Sequence, residues 1–184
     1  AAAVDALGVA AGATDVELDL ESGRRGRRGR STLAALAAAV PDAEAVHVVN
    51  NGAAALALVT CALAAGREVV VSRGEMVEIG DGFRLPELLE SVGARIREVG
   101  TTNRVRLEDY AAAVGENTAF VLKVHPSNFQ VTGFTSAVPV HELAGLPVPV
   151  AVDIGSGLLR PHPRLPDEPS AGAALKAGAD LVTA

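Results

Sequence analysis

The sequence predicts an α/β protein, a mostly parallel sheet with helices on both faces. Short valine-rich runs recur along the chain, each followed by a stretch rich in alanine and leucine. The valine-rich runs are continuously apolar rather than alternating, as strands buried on both faces are. Glycine or proline stands at many of the changes from one kind of run to the next. The chain has 184 residues, of which 49% are hydrophobic, enough to bury a core in one domain or a large piece of one. Aromatic residues are only 3%, so alanine, valine and leucine must build that core.

The elements follow in order. Residues 32–40 form a helix stopped by Pro41, and residues 45–49 a strand. Residues 53–65 form a helix closed by Gly66. Residues 68–72 are a strand dominated by valine. Pro86 opens a helix over 86–92, with Gly93 after its end. A strand over 94–99, a helix over 107–114 and a strand over 118–124 come next. They are followed by a short helix at 140–143, a strand at 148–153, a helix at 171–177 and the start of a strand at 179–183.

Composition excludes several classes. One cysteine leaves no intramolecular disulfide framework and no cysteine-rich zinc site, and it fits a reducing, cytoplasmic setting. There is no run of 18 uncharged apolar residues to cross a membrane. The first residues lack the basic flank of a signal peptide. A net charge of −6 argues against a nucleic-acid surface over the whole body, while a local basic patch stays open. No pair of histidines has metal-site spacing, so no metal is expected. The dinucleotide, P-loop and nucleophile-elbow signatures are absent as well.

In a parallel sheet, ligands bind beyond the carboxyl ends of the strands. Those positions are polar here. Asn51, Gly52 and Ala53 lead from a strand into a helix, where free N–H groups and the helix dipole favour an anion. They read either as a phosphate cradle or as a capped turn. Asp153 ends an apolar strand ahead of Gly155 and Gly157, and reads either as a partner for a ring nitrogen, metal or ribose or as a turn aspartate. Arg73, Arg84 and Arg104 stand at or near strand exits, where a guanidinium fork suits an oxyanion. His125 closes a strand ahead of Ser127 and Asn128, placed to stack on or hydrogen-bond a ligand, or to pair with backbone. Five arginines between Arg24 and Arg30 read as a solvated loop or as an anion or RNA contact. His47 reads as structural, and Cys61 as a small buried residue.

Several strings, taken in order, carry a family resemblance. They are Val49-Asn50-Asn51-Gly52-Ala53, Val71-Ser72-Arg73-Gly74-Glu75 through Gly80, and Val99-Gly100-Thr101-Thr102-Asn103-Arg104. Leu122-Lys123-Val124-His125 with Ser127-Asn128, and Asp153-Ile154-Gly155-Ser156-Gly157, complete the set. From about Asp15 to Thr183 the chain resembles the bacterial selenocysteine synthases, the L-seryl-tRNA(Sec) selenium transferases. The resemblance implies the large domain of a fold-type-I pyridoxal 5'-phosphate enzyme. It implies seryl-tRNA(Sec) as substrate, selenophosphate as selenium donor and a homo-oligomeric parent protein. Under it, Asn51, Gly52 and Ala53 hold the cofactor phosphate, with Gly52 where the family usually has a third Asn. Asp153 pairs with the pyridine nitrogen, and Asn128 reaches the ring hydroxyl. Arg73, Arg84, Arg104 and His125 are the candidate catalytic residues, the arginines for the selenophosphate oxyanion or the tRNA end.

The family's cofactor lysine follows the strand that begins at Ala179, and this chain stops at Ala184. Its two lysines are Lys123, inside a strand, and Lys176, which reads as a solvent-facing helix residue. Residues 1–184 are therefore expected to be the central, incomplete part of the cofactor-binding large domain. The tRNA-binding domain and the small domain are expected to lie outside it, and the chain alone is not expected to catalyse the full reaction. A related pyridoxal phosphate lyase or transferase acting on a small amino acid, and a non-catalytic remnant of the fold, are the alternatives.

Overall fold

A computed structural model describes residues 2–80 and 82–184. The chain divides into two compact units, Ala1–His47 and Val48–Ala184.

In the first unit, helix α1 (Ala2–Ala10) has no buried residue. Alanine's intrinsic helix propensity accounts for it, and an apolar stripe does not. Strands β1 (Leu18–Asp19) and β2 (Arg24–Arg25) form an antiparallel hairpin, and helix α2 (Arg30–Ala39) follows. The hairpin turns the basic segment back on two acids. Arg25 and Arg28 pair with Glu17 at 2.6 and 2.7 Å, and Arg30 pairs with Asp19. The Arg30 partnership holds the Asp19 carboxyl below its ordinary value. Arg24 and Arg27 make no ion pair among the described residues.

The second unit begins with α3 (Gly52–Ala64) and β3 (Glu68–Ser72), which ends in a 3-10 turn at Arg73–Glu75. A small hairpin of β4 (Glu78–Ile79) and β5 (Phe83–Arg84) follows. Then come α4 (Leu85–Ser91), β6 (Arg95–Val99), α5 (Leu107–Ala113), β7 (Thr118–Val124), α6 (Val140–Leu143), β8 (Val150–Asp153), α7 (Ala171–Lys176) and β9 (Leu181–Thr183). Five strands form one wholly parallel sheet in the order β6-β3-β7-β8-β9.

Both faces of this sheet are covered. Val69, Val71, Phe120, Leu122 and Ala151 pack with Leu56 of α3 and Leu89 of α4. Val70 and Val121 point to the opposite face and are fully buried too. Each valine, leucine or phenylalanine among them contributes about 1.5–3 kcal/mol on burial. The step from β3 to β6 runs one way along the sheet, and every later step runs the other. With right-handed crossovers, that reversal places α4 on one face and α5 to α7 on the other. It also makes the neighbouring ends of β3 and β7 the switch point of the sheet.

Two sequence expectations fail. No strand spans residues 45–49. A strand needs a neighbouring backbone, and this segment has none among the described residues. Cys61 is exposed. The buried side of α3 is Leu56, Thr60 and Ala64, spaced four residues apart, and Cys61 falls off that stripe.

Candidate functional site

Asn51 caps α3 from an extended backbone, its side-chain oxygen accepting the Ala54 N–H at 2.8 Å. The Asn51 carbonyl accepts the Ala55 N–H at 3.1 Å. The N–H groups of Gly52 and Ala53 have no carbonyl behind them in the helix, so the first turn presents two donors and the positive end of the dipole. Gly52 lies against the end of β9. A Cβ at that position would stand 3.4 Å from the Ala184 carbonyl carbon.

Asp153 ends β8 one strand away. It pairs in register with Val124 of β7 on one side and Thr183 of β9 on the other. Its carbonyl accepts the His125 N–H at 2.8 Å, and its side chain accepts the Gly155 N–H at 2.9 Å. Burial raises the Asp153 carboxyl above its ordinary value. The Gly155 N–H, the Thr183 hydroxyl and nearby His125 oppose that rise. Thr183 Oγ1 is buried and makes no hydrogen bond of good geometry. Gly155 is needed twice over, for its positive φ of 60° and because a Cβ there would press on Ser127 at 3.1 Å. The ends of β8 and β9 and the start of α3 thus bring together two free backbone donors, a partly buried acid and an unpartnered hydroxyl.

The arginines divide. Arg73 is paired with Glu98 at 2.8 Å. Arg84 bridges Glu78 at 2.6 Å and Glu87 at 3.2 Å, and Glu78 raises its already high pKa further. The Arg104 side chain makes no ion pair or hydrogen bond among the described residues. It lines a cavity of about 220 Å³ with Ser72, Thr102, Lys123 and Ser136. Asn128 donates its amide to the Glu78 carbonyl at 3.0 Å, toward the β4–β5 hairpin. An open depression of about 600 Å³ beside edge strand β6 is lined by Glu98, Glu108 and Asp109 and holds none of the expected cofactor-binding residues. No cluster of three or more potential metal ligands occurs among the described residues, and no described helix is long and apolar enough to cross a membrane.

One feature of the site was not legible in the sequence. Glu75 is buried and pairs with Lys123, and its second oxygen accepts the Val124 N–H at 3.0 Å. The partners are 48 and 49 residues away, so no local pattern announces them.

The chain is 49% identical over 180 residues to the L-seryl-tRNA(Sec) selenium transferase of Desulfovibrio desulfuricans, covering 95% of this chain and 38% of that protein. It is 51% identical over 181 residues to the enzyme of that name from Geobacter metallireducens, covering 95% of this chain and 39% of that one. The chain spans about two fifths of the length of these curated relatives. Among solved structures, it is similar to D-glucosaminate-6-phosphate ammonia-lyase, with a TM-score of 0.68 at 20% identity over 97% of this chain and 47% of that one. It is also similar to a cystathione gamma lyase from Micromonospora echinospora, with a TM-score of 0.57 at 25% identity over 87% of this chain and 40% of that one. The fold is that of the fold-type-I pyridoxal phosphate enzymes. The family model for L-seryl-tRNA selenium transferase, SelA, matches residues 1–184, and the chain belongs to that family.

Proposed function

We propose that the protein carrying this chain converts seryl-tRNA(Sec) to selenocysteinyl-tRNA(Sec), with selenophosphate as donor and pyridoxal 5'-phosphate as cofactor. Residues 1–184 form the central part of its cofactor-binding domain, and the protein works as a cytoplasmic homo-oligomer. The observation that carries this reading is the α3 N-terminus lying against the end of β9, one strand from Asp153 at the end of β8.

That donor set fits the cofactor. The Gly52 and Ala53 N–H groups suit a phosphate, with Asn51 holding the turn open. Asp153 suits the pyridine nitrogen, because a protonated ring would offset the burial that raises this partly buried carboxyl. Thr183 Oγ1 is a buried hydroxyl beside the Asp153 carboxyl with no hydrogen bond of good geometry, and it can turn to a polar ligand atom. The Asn128 amide nitrogen gives one N–H to the Glu78 carbonyl, which leaves its second N–H and its oxygen for the ring hydroxyl. His125, beside Asp153, would lie against the ring. When bound, the cofactor supplies the electron sink for loss of the seryl α proton and β hydroxyl.

Among the arginines, Arg104 is the best candidate for the selenophosphate oxyanion. An incoming anion need not displace a carboxylate there, as it must at Arg73 and Arg84. The test is conversion of seryl-tRNA(Sec) by the protein carrying this chain, supplied with selenophosphate and pyridoxal phosphate. Arg104→Gln should raise KM for selenophosphate at least tenfold with the cofactor still bound. A protein that binds the cofactor and makes no selenocysteinyl-tRNA(Sec) would overturn the reading.

A further inference from the structure

Strands β3 and β7 pair in parallel from Val69 against Phe120 to Val71 against Leu122. At Arg73 the chain leaves the sheet in its 3-10 turn, while β7 continues to Val124. Along β7 the N–H groups alternate in direction. Those of Val121 and His125 go to the β8 side, to the carbonyls of Pro149 and Asp153. The Val124 N–H therefore points to the β3 side, where no strand remains to receive it. Glu75 Oε2 accepts it at 3.0 Å. The other carboxylate oxygen of Glu75 takes the Lys123 ammonium. The two side chains are only 9% and 18% exposed, so each charge depends on the other. Gly74 makes the turn tight enough, since a Cβ there would lie 2.5 Å from the Thr102 carbonyl oxygen.

We propose that Glu75, balanced by Lys123, is a positioning residue for the cofactor site. Its carboxylate continues the β3 ladder in side-chain form and holds the end of β7 from one side, while the Asp153 carbonyl holds it from the other. The His125 N–H is thereby kept on the Asp153 carbonyl. Lys123 is committed to this ion pair and does not serve as an amine for a carbonyl ligand, although it borders the 220 Å³ cavity. The inference rests on reading the β7 and β8 ends as the cofactor site.

The test compares the wild-type protein carrying this chain with Glu75→Gln and with Glu75→Gln combined with Lys123→Met. Amide hydrogen exchange, reductive trapping with pyridoxal and cyanoborohydride mapped by mass spectrometry, and affinity for pyridoxal phosphate are read on all three. In the wild type, the Val124 N–H should exchange as slowly as that of His125, and Lys123 should stay unmodified. Glu75→Gln should raise trapping at Lys123 at least tenfold and weaken cofactor binding about tenfold. The double variant strands no charge and keeps an acceptor for Val124, so it should restore Val124 protection and bring affinity to within threefold of wild type. Fast exchange at Val124 in the wild type would overturn the proposal. So would trapping of Lys123 in the wild type, or a double variant that protects Val124 without recovering affinity. If the wild type itself binds no cofactor, the site reading fails, and exchange at Val124 still decides whether the clamp exists.

Discussion

The two flanks of β7 differ in how their charged side chains are partnered. On the β3 side, charged groups find each other: Glu75 with Lys123, Arg73 with Glu98, Arg84 with Glu78 and Glu87. On the β8–β9 side, Asp153 makes no ion pair and Thr183 Oγ1 no hydrogen bond of good geometry among the described residues, and the first N–H groups of α3 have no carbonyl behind them. A strand exit rich in charge is thus not by itself a binding site. An acid held above its ordinary value beside free helix N–H groups at one sheet end points to one more strongly than charge alone does.

The contrast can be broken most strongly at Gly74. Gly74→Ala drives a methyl into the Thr102 carbonyl, and the wall on the β3 side must move. The expected loss is about 1–3 kcal/mol in denaturant unfolding, with Thr101–Arg104 amides losing exchange protection. A smaller effect of opposite sign is expected on the other flank. Burial raises the Asp153 carboxyl, so the folded state holds that proton more tightly than the unfolded chain does. The stabilising contribution is full below the unfolded value and is lost as pH rises through the raised folded value. Asp153→Asn should therefore raise the ligand-free melting temperature at pH 7 by roughly 1–3 °C and remove that pH dependence. A lower melting temperature would show that the protein already satisfies this carboxylate. The smallest effect belongs to Arg73→Gln. Its pair with Glu98 is about half exposed on both sides, so stability should change by less than about 0.5 kcal/mol. Cofactor affinity should not move at all.

What the sequence revealed follows the range of the forces involved. The sheet strands were legible because runs such as Val69–Val71 and Phe120–Leu122 are apolar throughout, and β3, β7 and α6 carry the predicted limits. The Asn51 cap and the strand-end position of Asp153 were legible because caps and strand ends leave local marks. The β1–β2 and β4–β5 hairpins went unread, since two-residue strands show no period. Residues 45–49 look like a strand locally but lack a backbone neighbour, which only tertiary structure decides. The division of the arginines was beyond the sequence for the same reason, since Arg73 meets Glu98 from 25 residues away.

The most direct test of the site is calorimetric titration of the protein carrying this chain with pyridoxal 5'-phosphate and with pyridoxal, at pH 7.5, for the wild type and Asp153→Asn. The account predicts saturable wild-type binding that weakens at least tenfold without the ligand's phosphate, and again at least tenfold in Asp153→Asn. Equal affinity for the two ligands, or an Asp153→Asn variant that binds as the wild type does, would contradict it.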